Sequence, residues 1–163
     1  MSDWQTYLQK QIQAAEKVAI VGVGSVLCAD DAAGMLFIEM LQQQIKDCPR
    51  VLLVAGSTAP ENFTGQLKAF RPDCLIFVDA AHVGEEVGQI DLIPPHKIKE
   101  ISLSTHMLPL SFMFTYLQQE INCAISLIGI QPASTQMGDE MDEKVKRSVE
   151  ALAQKFADFL KNK

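Results

Sequence analysis

The feature that most constrains this chain is the stretch Val18–Met40, which reads VAIVGVGSVLCADDAAGMLFIEM. Its first four residues are apolar and mostly β-branched, which is the pattern of a buried strand. Gly22 and Gly24 follow at once, where a chain leaving a sheet must turn tightly, and two adjacent aspartates come next. From Ala32 onward the apolar residues have helical spacing. Strand, glycine turn, acidic pair and helix form the first half of a βαβ unit, in which ligands sit outside the carboxyl ends of the strands.

Two other interpretations of this turn compete with a cation site at Asp30 and Asp31. The glycines suggest a dinucleotide-binding loop, but that pattern requires a third glycine where this chain has Leu27, and carboxylates would repel a pyrophosphate. Either aspartate alone could simply cap the helix, because Asp is favourable at the positive end of a helix. Two adjacent carboxylates repel each other, however, so we expect one of them to face a cation.

Hydrophobic periodicity along the rest of the chain predicts an α/β fold, with helices between parallel strands. We expect strands over residues 18–23, 51–55, 74–78, 88–93 and 123–130, with the fourth strand antiparallel. We expect helices over residues 4–16, 31–45, 62–70, 109–120 and 142–161. There is no linker or repeat, so residues 1–163 should form one domain with helices on both faces of a sheet of about five strands.

Composition and charge argue against several classes of partner. The net charge is −6 without a basic run, so we do not expect nucleic acid as a partner. No apolar segment approaches the ~20 residues of a membrane span, and the first 17 residues lack the apolar core of a signal peptide. We therefore expect a soluble cytoplasmic protein with no membrane partner.

The cysteines should be free thiols in that reducing compartment, because none forms a CxxC pair or has zinc-site spacing. Cys74 and Cys123 lie in apolar runs and should be core residues. Cys28 lies in the glycine loop, where a catalytic thiol could stand, but the sequence offers no base for it. Its role stays open.

Three potential metal ligands fall at strand ends or in neighbouring loops. Asp31 follows the first strand, Asp79 ends the third strand, and His106 precedes the fourth helix. Taken singly, such an Asp is more often a turn or cap residue, and such a His is more often a surface or core residue. Because parallel strands one and three can lie side by side, however, their carboxyl ends can share a cleft. Two carboxylates and an imidazole leave open positions, which suits a divalent first-row metal that must also meet another group.

Five motifs, in this order along the chain, resemble those of the hydrogenase maturation endopeptidases: GVGSVLCADDAAG, GSTAPEN, RPDCLIFVDAAH, STHMLPL and IGIQP. Members of this family trim the C-terminus of the large subunit of nickel-iron hydrogenases. The order and spacing agree from Val18 to Pro132, and the terminal helix fits as well. The forms GSTAPEN, STHMLPL and IGIQP are most similar to the branch that serves hydrogenase-3-type enzymes.

The resemblance implies a three-layer α/β/α sandwich and a site that recognises nickel. The family's two metal-contacting acids correspond to Asp31 and Asp79, and its histidine corresponds to His106. The implied reaction is removal of a C-terminal extension from a large-subunit precursor that already carries nickel, so the metal arrives on the substrate. A catalytic role for either acid stays open. The rival interpretation is a nickel-binding maturation chaperone of the same fold that hydrolyses nothing.

Five further side chains are candidates for the substrate cleft. Asp30 should cap the following helix or orient the loop, while Glu61 and Asn62 should shape the loop after the second strand. His82 either contacts substrate or points into solvent, and we prefer solvent. Gln131 should bound the cleft at the end of the last strand.

Overall fold

A five-stranded sheet forms the centre of the computed structural model, which describes residues 3–84, 86–98 and 107–162. The strands are β1 (Val18–Val23), β2 (Val51–Ser57), β3 (Cys74–Ala80), β4 (Ile90–Ile93) and β5 (Ala124–Ile130). Their order across the sheet is β2-β1-β3-β5-β4. β4 runs antiparallel to β5, and the other neighbouring pairs are parallel. β1 lies beside β3, as expected, so the carboxyl ends of these two strands share one edge of the sheet.

Helices cover both faces of the sheet. They are α1 (Asp3–Ala14), α2 (Ala33–Gln44), α3 (Thr64–Phe70), α4 (Met107–Glu120) and α5 (Glu143–Lys161). A single 3-10 turn precedes α2 at Ala29–Ala32, and another precedes α3 at Pro60–Phe63. None of the helices in the described ranges has the length and apolar character needed to cross a membrane.

Two boundaries near the predicted site differ from the sequence-based expectation. The helix predicted over 31–45 begins instead with the 3-10 turn, which carries both aspartates of the acidic pair. The third strand continues past Val78 because its hydrogen-bonded pairing with β5 extends to Ala80, so Asp79 lies inside β3. His106 lies outside the described residues, and its place in the site stays a prediction.

The core consists of two apolar layers, one on each face of the sheet. Alternate strand residues such as Ile20 and Ile76 face α1, α2 and α5, while Val21 and Phe77 face α3 and α4. The parallel strands are therefore apolar on both faces, as expected for a sheet covered by helices on each side. The three-layer α/β/α sandwich with a mostly parallel sheet is confirmed.

Two glycines let α2 lie directly against the sheet. A Cβ at Gly22 would overlap the carbonyl oxygen of Gly34, and a Cβ at Gly34 would overlap the carbonyl oxygens of Val23 and Val78. The first turn of α2 therefore approaches the ends of β1 and β3 as closely as their backbones allow. This contact fixes the acidic turn before α2 over the carboxyl edge of the sheet.

The amino edge of the sheet is closed by polar contacts to the backbone. The guanidinium of Arg50 donates to the carbonyl of Ala15 at 3.1 Å and to the carbonyl of Leu160 at 3.3 Å. The carboxylate of Asp73 accepts hydrogen bonds from the amides of residues 16 and 17. These contacts join the ends of α1 and α5 to the starts of the strands.

Candidate active site

Asp31 is held in the turn before α2 by its own loop. Its side chain is buried, and Oδ2 accepts a hydrogen bond from the amide of Ser25 at 2.8 Å. Its own amide donates to the carbonyl of Cys28 at 2.9 Å. Gly24 makes this closure possible, because its φ is +129° and a Cβ there would overlap the carbonyl of Asp31. The glycine turn thus brings the carboxylate of Asp31 back over the end of β1.

Asp79 reaches the same edge from the neighbouring strand. It is fully buried, and its Cα lies opposite that of Gly129 in β5. β1 and β3 are adjacent and parallel, and α2 begins against the ends of both strands. The structure therefore places Asp31 and Asp79, two of the three predicted ligands, at one carboxyl edge.

A complete metal site is not formed by the described residues alone, since no three His, Cys, Asp or Glu side chains among them could hold a metal ion. The third predicted ligand, His106, falls outside this part of the chain, although α4 begins at the next residue. Two buried carboxylates can supply oxygen ligands and negative charge to a divalent cation. The role of these side chains as metal ligands stays a prediction.

Asp30 ties the acidic turn to the segment that follows β5. Its side chain is 1% exposed, and Oδ2 accepts from the amides of Ala133 and Ser134 at 2.7 and 3.1 Å. Oδ1 accepts from the amide of Asp142 at 2.7 Å. The expectation that Asp30 caps the following helix is wrong, because its carboxylate turns away toward these three donors and α2 has no side-chain cap. Its other expected role, orienting the loop, is what these contacts perform.

Gln131 and His82 form a hydrogen-bonded pair beyond the ends of β5 and β3. Oε1 of Gln131 accepts from the amides of Val83 and Gly84 at 2.9 and 3.2 Å, which fixes the orientation of its side-chain amide. Its Nε2 therefore faces Nδ1 of His82, at 2.8 Å, as the donor. This assigns the proton of a neutral His82 ring to Nε2.

The same pair stands beside a polar cavity of about 300 Å³, lined by residues 80–82 and 132–136. His82 is exposed, in line with the preference for solvent, yet its ring is oriented by Gln131. Gln131 is buried and also donates to the carbonyl of Pro132. It therefore holds together the two loops that border this cavity.

Glu61 and Asn62 lie in the 3-10 turn after β2, and both are exposed. The carbonyl of Glu61 accepts from Oγ1 of Thr64 at 3.0 Å, where α3 begins. Glu61 also lines a shallow cavity of about 420 Å³ together with Phe112 and Tyr116 of α4. Both residues shape the loop, and the side chain of Glu61 faces the groove between α3 and α4.

Sequence reasoning missed a second groove, which we call the α2–α5 groove. It has a volume of about 510 Å³ and lies between α2 and the residues that lead into α5. Its lining includes Val26, Met35, Leu36, Met141, Glu39 and Glu140. The available signal was the pair Val26 and Leu27, large apolar residues placed in a loop between the glycine turn and the acidic pair.

Residues 35–158 of this chain match the family model described as hydrogenase maturation protease. The chain belongs to the hydrogenase maturation protease family. It is similar to the hydrogenase 3 maturation protease of Escherichia coli K12, with 33% identity over 135 residues that cover 82% of this chain and 85% of the relative. The crystal structure of the NiFe hydrogenase maturation protease HycI from Thermococcus kodakarensis KOD1 superimposes with a TM-score of 0.87 and 36% identity. That alignment covers 96% of this chain and 99% of the other.

A more distant relative is the hydrogenase expression/formation protein HoxM of Cupriavidus necator, with 28% identity over 88% of this chain and 74% of that protein. The family, its hydrogenase-3-type branch and the peptidase class predicted from the sequence are confirmed. This protease therefore carries its two buried carboxylates at the edge of the sheet where ligands of α/β folds bind.

Proposed function

We propose that this protease removes the C-terminal extension of a nickel-loaded precursor of a nickel-iron hydrogenase large subunit, and that it recognises the nickel carried by that substrate. The observation that supports the proposal is that Asp31, in the turn between β1 and α2, and Asp79, in the adjacent parallel strand β3, are buried at the same edge of the sheet. In this proposal His106 supplies a nitrogen ligand to the same metal.

The physical basis is that the protease offers an incomplete coordination shell. Both carboxylates are at most 5% exposed, so water screens their attraction to a cation only weakly. Carboxylate and imidazole both bind divalent nickel, and three ligands leave positions for groups from the precursor. A precursor without nickel would lack the group that these side chains bind, so cleavage would follow metal insertion.

The alternative of a chaperone that hydrolyses nothing has less support. Two relatives that align with more than four fifths of the chain, from Escherichia coli and Thermococcus kodakarensis, are named as proteases. In the reaction proposed here, water adds to the carbonyl carbon of one peptide bond, the C–N bond breaks, and the new amine leaves with the C-terminal peptide.

The test compares nickel-loaded with nickel-free precursor, with intact mass as the readout. We expect the wild-type protease to release a C-terminal peptide from the nickel-loaded precursor alone. His106→Ala should lower the cleavage rate at least about 100-fold, because it removes the nitrogen ligand. Asp31→Asn and Asp79→Asn should act similarly, because each removes a negative charge while keeping the side-chain shape.

The matched control is His96→Ala, which removes an exposed imidazole from the 3-10 turn at Pro95–Lys97 and should cleave at the wild-type rate. Thermal melts followed by circular dichroism show whether each variant keeps its fold. Equal cleavage of both precursors by the wild-type protease would contradict nickel recognition. A wild-type rate for a folded His106→Ala variant would exclude His106 from the site.

A further inference from the structure

A cluster of exposed apolar side chains stands beside the acidic turn and has no role in the site described above. Val26 and Leu27 are each 65% exposed, and Met137 is 77% exposed. The amide of Gly138 donates to the carbonyl of Leu27 at 3.0 Å, so the two loops that carry these side chains are joined. Exposed apolar clusters of this kind mark surfaces that contact another molecule.

The α2–α5 groove continues from this cluster toward the acidic turn. Val26 belongs to both, and Met35 and Met141 add flexible apolar side chains that can adapt to different occupants. Ala32, the residue after Asp31, also lines the groove. With a volume of about 510 Å³, the groove is large enough to hold several side chains of an extended segment.

The charged residues of the groove are mostly acidic. Glu39, Glu140 and Glu143 line it together with a single cation, Lys146. A second copy of this chain, with its net charge of −6, would bring a surface of the same sign. A segment that combines apolar side chains with Lys or Arg is complementary to the groove in both respects.

We propose that the α2–α5 groove binds the C-terminal extension of the precursor, through apolar side chains flanked by Lys or Arg. The identity of this partner rests on the proposed function. The groove is lined by Ala32, the residue after Asp31, so it begins beside the acidic turn where we propose that the precursor is cleaved. Binding of nickel would then distinguish the loaded precursor from the nickel-free one, and the groove would hold the C-terminal extension that is released.

Charge reversal tests the proposal on an exposed surface. Glu39→Lys combined with Glu140→Lys should raise KM for nickel-loaded precursor about tenfold with little change in kcat, and should weaken binding to immobilised precursor equally. The control combines Glu16→Lys with Asp158→Lys, which makes the same change in net charge at exposed sites near the amino edge. The control should leave KM and binding within about twofold of wild type.

A compensating change in the precursor completes the test. Replacing the Lys and Arg residues of its extension with Glu should weaken binding to the wild-type protease and restore binding to the charge-reversed groove. Equal weakening by both double variants, no weakening by either, or the absence of this rescue would overturn the docking proposal. An extension without any Lys or Arg would do so as well.

The two proposals fail in different ways. Normal cleavage by the charge-reversed variant, with unchanged KM and binding, would reject the groove and leave the proposed function intact. A wild-type protease that binds the precursor but releases no peptide would reject the proposed function. In that case the binding measurements still decide whether the groove holds the extension.

Discussion

At the scale of single residues, the two neighbouring aspartates have different roles. Asp31 closes the glycine loop on itself, while Asp30 accepts three amide hydrogen bonds from the segment after β5. Hydrogen bonds to an ionised acceptor are stronger than neutral ones, so this buried carboxylate is a strong link between two parts of the chain.

Replacing Asp30 should therefore destabilise the whole fold. Asp30→Ala leaves three amides without their acceptor, and we expect the free energy of unfolding to fall by about 3 kcal/mol or more. Asp30→Asn keeps one carbonyl oxygen and should lose roughly half as much. Urea unfolding followed by fluorescence measures both.

The control for this prediction is Asp139→Ala. Asp139 is exposed and accepts only a side-chain hydrogen bond from Ser134 among the contacts that the structure describes for it. Its removal should change the free energy of unfolding by less than about 0.5 kcal/mol. If Asp30→Ala costs no more than Asp139→Ala, the three amide contacts do not stabilise the fold.

The cysteines should differ in reactivity. Burial raises the pKa of the Cys74 thiol to about 12, with further contributions from Cys123 and Asp73. Burial, together with the charge of Asp73, raises the pKa of the Cys123 thiol to about 11. At about pH 8 both thiols should contain at least ~100-fold less thiolate than an ordinary cysteine, and the thiolate is the form that alkylates.

We therefore expect iodoacetamide to modify Cys28 and Cys48 first in the native protein, with peptide mass mapping as the readout. The denatured protein should show four reactive thiols without added reductant, which tests the prediction that no disulfide forms. Modification of Cys74 as fast as Cys48 would contradict the role of burial.

The sequence predicted the importance of the acidic pair but not the different hydrogen-bond partners of its two aspartates. Asp30 and Asp31 share the same local pattern, whereas the amides bound by Asp30 come from residues 103 to 112 positions away in the chain. The location of Asp79 near the carboxyl end of β3 followed from the apolar run before it. The α2–α5 groove could not be predicted from the sequence, because its walls come from segments that are far apart in the chain and meet only in the folded protein.

At the scale of elements, periodicity predicted the strands well where both faces are buried. β1 spans the predicted residues 18–23, since all of its side chains are apolar or glycine and all are buried. β3 was predicted too short because the apolar run ends at Val78, while backbone pairing with β5 continues regardless of side-chain polarity. The start of α2 was less clear, because no side-chain cap marks it.

The contact between α2 and the sheet can be tested with alanine. Gly34→Ala should lower the free energy of unfolding by about 1–3 kcal/mol, because the added methyl group forces α2 away from β1 and β3. The acidic turn moves with α2, so precursor cleavage should fall as well. Chemical unfolding and the cleavage assay give the two readouts.

Gly65→Ala in α3 is the matched control, since a Cβ there meets no described atom within 4 Å. Alanine favours the helix over glycine, so this variant should be unchanged or more stable by up to about 1 kcal/mol. It should also cleave at the wild-type rate. Equal effects at the two positions would show that helix propensity, not the close approach of α2, governs stability here.

At the scale of the whole molecule, the contacts that join α1 and α5 to the sheet lie at its amino edge, opposite the edge where we propose that the precursor binds. Arg50 and Asp73 join the helices to the amino edge, while the buried carboxylates and both cavities beside the acidic turn lie toward the carboxyl edge. The sequence predicted which strands lie side by side at the site, but not the outer order of the sheet. That order depends on packing between residues far apart in the chain.

This separation predicts that Arg50→Ala lowers stability without altering catalysis. Loss of two hydrogen bonds from a charged donor should reduce the free energy of unfolding by about 1–3 kcal/mol. Below the melting transition, kcat/KM for nickel-loaded precursor should stay at the wild-type value. Lys161→Ala, which removes an exposed cation at the same end, should change neither quantity.

The hydrogen bond from the amide of Asp142 to Asp30 cannot form until late in the synthesis of the chain on the ribosome. These two residues are 112 positions apart, which at about 5–20 residues per second separates their synthesis by roughly 6 to 22 s. Until Asp142 is synthesised, the nascent chain holds the acidic turn but lacks the complete set of amide donors that anchor it. A polypeptide that ends before Ala133 therefore lacks all three of these donors, so we expect such an unfinished chain to cleave no precursor.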